Sequence, residues 1–259
     1  MTKALILAAG QGTRLRPITN DKPKCLVPLM GKSLLERQVD ILTLNSIRDI
    51  HIATGYCSEQ IVTLGFNTSY NERFESTNMV ESLFSAIEFI RNCKEDLIIS
   101  YGDIVYQEEN LQQLLSCDDD IVLMVDKNWK SLWSLRLDNP LEDAETFIMN
   151  DNGYVTELGK KPSCYEEIQG QYTGLIKVKA DKIPEFIEFY QALDRAKIYD
   201  GNDFYNMYMT TFLQLLIDSG WNVKAELVEG GWLEIDSLSD LSCYEEMHKK
   251  NTLVKFYKG

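Results

Sequence analysis

Histidine is almost missing from this chain: His51 and His248 stand alone, and neither has metal-ligand spacing. The six cysteines, at positions 25, 57, 93, 117, 164 and 243, include no Cys-x-x-Cys pair. An even count admits disulfides, but the scatter reads as ordinary buried thiols of a reducing compartment. No apolar stretch reaches membrane length, and Met1-Thr-Lys leads straight into a strand without a signal peptide. A cytoplasmic location is therefore expected. Basic charge is also scarce: 26 Lys/Arg against 40 Asp/Glu give a formal −14. That argues against general nucleic-acid binding, whose affinity comes from many phosphate contacts. No repeat, linker or low-complexity tract interrupts the 259 residues. They suit one compact domain of two halves, 1–128 and 129–259.

What basic charge there is lies at the start. Residues 1–37 hold seven Lys/Arg and two Asp/Glu, a local +5 that leaves −19 for the rest. A small basic island in an acidic body suits one anionic small ligand, although basic residues also cluster on solvated faces. The island contains Lys3-Ala-Leu-Ile-Leu-Ala-Ala-Gly-Gln-Gly-Thr-Arg-Leu-Arg-Pro, then Lys22-Pro-Lys-Cys-Leu-Val-Pro. The run Ala4 to Ala9 reads as a buried strand. Gly10 and Gly12 follow, exposing backbone N–H groups, and Arg14 and Arg16 set guanidinium groups beside them; both suit a polyphosphate. Two better-known phosphate loops fail on spacing. A dinucleotide turn needs a third glycine where Leu15 stands, and a P-loop ending in Gly31-Lys32-Ser33 needs one at Leu26.

Strand and helix patterns alternate through the first half. Strands are expected at 3–8, 49–54, 96–101 and 121–126, and helices near 33–46, 57–65, 78–91 and 108–116. Val80, Leu83, Phe84, Ile87 and Ile90 share one helix face, with Asn78 placed as N-cap. Continuously apolar strands between helices predict an α/β fold, with a mixed, mostly parallel sheet covered on both faces. The second half reads as strands at 131–137, 146–149, 155–161 and 172–178. Helices follow near 181–195 and 203–218, then a strand at 222–228 and a closing helix near 239–250.

Leu-Ala-Ala-Gly-x-Gly-Thr-Arg-Leu, with Lys-Pro-Lys-x-Leu-Val-Pro ten residues on, resembles the nucleotidyltransferases that make NDP-sugars and CDP-alcohols. The resemblance extends to Tyr101-Gly102-Asp103 and to Glu234-Ile-Asp236, and is weakest over 135–170. It implies the Rossmann-like nucleotide-diphospho-sugar transferase fold. It also implies a Mg²⁺-dependent reaction in which an NTP and a phosphorylated acceptor give NDP-acceptor and pyrophosphate.

An acceptor phosphate oxygen attacks the α-phosphorus in line, and pyrophosphate leaves. The nucleophile is already an anion, so geometry and charge repulsion set the barrier and no general base is needed. Neutralisation by a divalent ion calls for carboxylates. Asp103, at the carboxyl end of an expected central strand, and Asp236 would hold Mg²⁺, with Glu234 assisting at the acceptor side. Lys24 would neutralise the reacting phosphates and Arg14 the departing ones. Leu7, Ala8, Ala9, Gly10, Gly12, Thr13 and Gly102 would lie against the nucleotide. On sequence alone Asp103 also fits the close of a turn, Asp236 an N-cap, and Lys24 and Arg14 surface charges.

The stretch Asn71-Glu-Arg-Phe-Glu-Ser-Thr-Asn-Met-Val-Glu-Ser-Leu is similar to the phosphocholine and phosphonate cytidylyltransferase branch, with its Asn-Met-x-x-Ser-Leu signature. CTP is thus the expected nucleotide, with Asn78 or Ser82 reading the cytosine edge or simply serving their helix. Trp129, Trp133, Tyr172 and Trp232 would supply aromatic acceptor walls, or else pack the core. At Gly159-Lys160-Lys161-Pro162 a lysine stands where the sugar branch has glutamate. Lys160 would repel a trimethylammonium group and attract a carboxylate or phosphate. This favours an acceptor such as phosphoglutamine over phosphocholine. The CDP-linked product would serve decoration of a surface polysaccharide, such as a capsule, or of a lipid. A sugar-1-phosphate enzyme using UTP, dTTP or CTP is the rival reading. Pairing into a homodimer is common for such chains, but nothing in the sequence locates an interface.

Overall fold

The computed structural model describes residues 2–259. Its centre is a seven-stranded sheet in the order Val223–Val228, Ile121–Asp126, Gln171–Val178, Leu97–Tyr101, Lys3–Ala8, Ile50–Thr54, Asn67–Tyr70. Gln171–Val178 runs antiparallel to both neighbours, and every other pairing is parallel. Each face of the central strands is buried, which is why they read as unbroken apolar runs. Ala4, Ile6 and Ala8 enter one core with Leu34, Leu35 and Leu42 of the helix Leu34–Leu44. Leu5 and Leu7 point the other way, into a core with Leu83, Phe84 and Phe212. The helices Met79–Ser85, Ile183–Ala192 and Met209–Asp218 cover that second face.

Several expectations are corrected. Residues 131–137 are not a strand. Trp129–Arg136 is a helix, because Trp129, Leu132, Trp133 and Arg136 fall at i, i+3, i+4 and i+7. The helix expected over 78–91 breaks at Ala86. The Ser85 hydroxyl donates to the Ser82 carbonyl at 2.7 Å, the group the Ala86 N–H would otherwise use, and Ala86 N–H turns to Leu83 instead. The edge strand Asn67–Tyr70 escaped notice because it is polar and half-exposed. So did a ribbon outside the main sheet, in which Trp232–Glu234 pairs antiparallel with Ile104–Tyr106. All six cysteines are free thiols. Among the described residues no helix is long and apolar enough to cross a membrane.

Candidate active site

The Leu97–Tyr101 strand ends beside Lys3–Ala8, and Gly102 makes the turn that follows. Its N–H donates to the Leu7 carbonyl at 2.8 Å, and a Cβ there would meet that same oxygen at 2.6 Å. Only glycine lets the two backbones approach so closely. Gln38, buried in the Leu34–Leu44 helix, locks the turn by donating to the carbonyls of Tyr101 (2.9 Å) and Ile104 (2.8 Å). Asp103 is thereby held at the sheet's carboxyl end, the usual ligand edge of an open α/β sheet. The ribbon brings the distant acids to it: Glu234 pairs with Ile104, and Ile235 N–H donates to the Asp103 carbonyl at 3.1 Å.

Lys24 enters from a short turn after Pro23 and bonds both aspartates, Asp103 Oδ2 at 2.7 Å and Asp236 Oδ1 at 2.6 Å. Arg14 reaches Asp236 Oδ1 at 3.0 Å. Burial opposes the Lys24 charge, but Asp103 and Asp236 outweigh it and raise its pKa. Burial likewise opposes ionisation of Asp236, yet Lys24, Arg14 and Arg136 hold its carboxyl at about 2. Asp236 does not cap the last helix. Ser237 does, in a reciprocal capping box with Asp240.

Arg136 was missed by the sequence reading. Its side chain is buried and divides three nitrogens among three carboxylates: Nη1 to Glu234 (2.7 Å), Nη2 to Asp236 (3.0 Å) and Nε to Asp240 (3.1 Å). The misread strand concealed it, since only helical spacing carries position 136 to the face shared with Trp129 and Trp133. Burial and the neighbouring Asp236 push the Glu234 carboxyl up, against the pull of Arg136. Four acids, Asp103, Glu234, Asp236 and Asp240, thus share three cations, Arg14, Lys24 and Arg136.

Asp103, Glu234 and Asp236 each offer an oxygen within 4.8 Å of the others, and Asp103 Oδ1 is buried without a hydrogen-bond partner. Hard oxygen donors, an orphaned carboxylate oxygen and surplus negative charge together fit a divalent cation such as Mg²⁺.

These groups form one side of a cavity of about 630 Å³. Its other side is lined by Tyr101, Trp133, Asp143, Glu145, Gln171, Tyr172, Met209, Thr210 and Trp232. Gly174, at φ +85°, leaves room for the Tyr101 ring, which a Cβ would meet at 2.6 Å. That ring packs edge-on to Tyr172 at 5.7 Å. Trp232 is fixed by its indole N–H donating to Asp126 at 3.0 Å. Met209 and Thr210 open a helix that no side chain caps.

Other expected site residues lie elsewhere. Lys160 is 59% exposed, pairs with Glu157 and does not line the cavity. Its backbone is fixed to Thr146 by two hydrogen bonds, and its side chain leaves toward Glu157 and solvent. Trp129 does not line the cavity either; it is buried against Trp133 and Tyr165. Ser82 is buried and accepts from Asn71 Nδ2 at 3.1 Å, while Asn78 caps its helix by accepting from Met79 N–H at 2.8 Å. Neither lines the cavity. Leu7, Ala8, Ala9, Gly10, Gly12, Thr13 and Gly102 are not among its lining residues; the 10–13 loop carries Arg14 to it. The carbonyls of Leu7 and Ala9 are already taken, by Gly102 and Tyr56 N–H.

Glu145 is the second group that sequence missed; Asp143-Ala-Glu145 shows no spacing that announces an acid on a cavity wall. Gln171 clasps its backbone from both sides, accepting from Glu145 N–H at 3.1 Å and donating to its carbonyl at 2.6 Å. Burial, with Asp143 nearby, pushes its carboxyl up to about 7. A raised carboxyl pKa costs stability fully above the folded value and not at all below the unfolded one. Glu145→Gln should therefore gain stability relative to the parent as pH rises from 4.5 to 8, by on the order of 3 kcal/mol. Urea melts at the two pH values check this; a difference independent of pH would refute it.

Residues 4–157 match the MobA-like NTP transferase domain. The chain is 44% identical to a CTP:phosphoglutamine cytidylyltransferase of Campylobacter jejuni, over 92% of this chain and 97% of that protein. It is 29% identical to the choline-phosphate cytidylyltransferase of Streptococcus pneumoniae, over 95% and 98%. The inositol-1-phosphate CTP transferase of T. maritima superposes with a TM-score of 0.74 at 22% identity, covering 100% of this chain and 98% of that one, and shows the shared nucleotidyltransferase fold. With most of its length matched in sequence, and its carboxylates gathered at the expected edge of the sheet, the chain belongs to the MobA-like NTP transferase family.

Proposed function

We propose that this protein transfers CMP from CTP to a small phosphorylated amino-acid acceptor of the phosphoglutamine type, releasing pyrophosphate. The observation that carries this is Lys24 held between Asp103 and Asp236 on the wall of a cavity whose far side is aromatic and acidic. The near-full-length similarity to a phosphoglutamine enzyme supports the choice of acceptor. Cytidylyltransferases recur among the other relatives.

An acceptor phosphate oxygen forms the new bond to the α-phosphorus while the α–β bridging P–O bond breaks. The pair of electrons leaves on pyrophosphate, and no proton need move. Asp103 and Asp236, with Glu234 beside them, would hold Mg²⁺, which supplies charge neutralisation at the α-phosphate. Lys24 and Arg14 are the chain's own cations at this spot, placed to offset the charge that builds as the two phosphates meet. Arg136 is not free for substrate: its three nitrogens are spent on fixing the acids. Lys160 lies too far out to read the acceptor's carboxylate. The uncapped helix start at Met209–Thr210 stands on the cavity wall in its place.

Pyrophosphate release should be measured with Mg²⁺ and each of four NTPs. The acceptors are phosphoglutamine, phosphocholine, phosphoethanolamine, 2-aminoethylphosphonate and several sugar 1-phosphates. CTP with phosphoglutamine should give the highest kcat/KM. Turnover confined to a sugar 1-phosphate with UTP or dTTP would replace this reading with the sugar-nucleotide one.

A further inference from the structure

We propose that Glu145, with Tyr172 and the rings of Tyr101 and Trp133, forms a subsite for an ammonium group carried by the phosphorylated acceptor. This rests on the cytidylyl-transfer reading of the same cavity. The Glu145 carboxylate makes no hydrogen bond or ion pair within the described residues, although it is half-buried on the cavity wall. Every nearby cation is committed elsewhere. Lys24 and Arg14 are on the aspartates, Arg136 is on Glu234, Asp236 and Asp240, and Lys161 donates to the carbonyls of Leu141 and Glu142. Lys160, the cation that sequence placed here, points away. A half-buried acid without a counter-ion costs free energy that the fold does not recover, and Asp143 adds a like charge beside it. Such a cost persists where a ligand supplies what is missing.

The missing partner is a cation with N–H donors. A carboxylate or second phosphate at this wall would be repelled by Glu145 and Asp143. The Tyr172 hydroxyl is buried at this wall, beside Tyr101. The hydroxyl can accept from an ammonium while the carboxylate accepts from another of its hydrogens. Aromatic faces add cation–π attraction. A trimethylammonium group would enjoy the rings but leave both oxygens without a donor, so the geometry favours a primary ammonium. The α-ammonium of an amino acid phosphorylated on its side chain is such a group.

The test compares phosphoglutamine with its analogue lacking the α-amino group, using CTP and Mg²⁺, in the wild type and in Glu145→Gln. The wild type should prefer the ammonium-bearing acceptor by roughly 30-fold or more in kcat/KM, and the variant should narrow that ratio to about fivefold or less. The change should fall on acceptor KM, with CTP KM unmoved. Tyr172→Phe, which deletes one hydroxyl, should narrow it by a smaller factor and guards against a misfolded Glu145 variant. Calorimetric binding of the two acceptors without CTP gives the comparison apart from turnover. If the wild type turns over only sugar phosphates yet binds phosphoglutamine through Glu145, the cytidylyl reading fails and the subsite stands. Equal discrimination by wild type and both variants, or none by the wild type, overturns the subsite.

Discussion

Asp103→Asn should lower kcat by two to four orders of magnitude while shifting the melting temperature by less than about 5 °C. Asp103 offers two oxygens with different duties. Oδ2 accepts from Lys24, and Oδ1 is buried with nothing bound to it. An asparagine keeps the shape but removes the charge, and its amide is a poor donor to a hard cation. The loss should therefore be of cation binding and transition-state charge balance, worth several kcal/mol, the equivalent of the stated rate loss. Folding should be nearly spared because Lys24 retains Asp236 at 2.6 Å. The turn itself is held by Gln38 and Gly102, which the substitution leaves alone. Mg²⁺ titration by calorimetry and CTP turnover check this together. Near-normal turnover, or Mg²⁺ affinity equal to the parent's, would move the metal site away from Asp103.

Lys24, Asp103 and Asp236 were legible from sequence because each sits where local pattern fixes the backbone: after a glycine turn, after an apolar strand, or inside a recurrent motif. Glu234 came with its neighbour. The groups that sequence did not disclose depend on contacts between distant segments. Arg136 gains its role only when the 129–136 helix lies against the acids at 234–240, and Ser131-Leu-Trp-Ser-Leu-Arg-Leu admits either a strand or a helix until that packing is known. Glu145 is set on the cavity wall by Gln171, on an antiparallel strand further along the chain, whose amide clasps its backbone. Lys160 illustrates the reverse error. A lysine suits a carboxylate, but two hydrogen bonds to Thr146 set the Lys160 backbone so that the side chain leaves the cavity. The seven-stranded order was similarly half-visible. Parallel strands declared themselves by their apolar runs, whereas the ribbon of Ile104–Tyr106 with Trp232–Glu234 is too short to do so. That ribbon is nonetheless what joins the first acid to the last.

Arg136→Leu should destabilise the protein by about 3–5 kcal/mol, because Glu234, Asp236 and Asp240 would be left as buried like charges. Arg136→Lys is the more informative change. Lysine restores one charge, but a single ammonium cannot reproduce a planar fork that meets three carboxylates through Nε, Nη1 and Nη2. Asp240 also accepts from the backbone N–H groups of Asp236 (3.0 Å) and Ser237 (2.8 Å), so Arg136 ties the helix start at Leu238 to Glu234 and Asp236. Loosening that tie should raise the Mg²⁺ concentration needed for half-maximal rate by roughly 10- to 100-fold in Arg136→Lys, the usual cost of removing a group that orients a metal ligand. A residue that merely supported the fold would lower the melting temperature and leave the Mg²⁺ dependence of the folded fraction unchanged. Thermal melts and Mg²⁺ titrations of rate, run on the same preparation, separate the two. A folded Arg136→Lys protein with the parent's Mg²⁺ dependence would show that the acids keep their positions without the guanidinium.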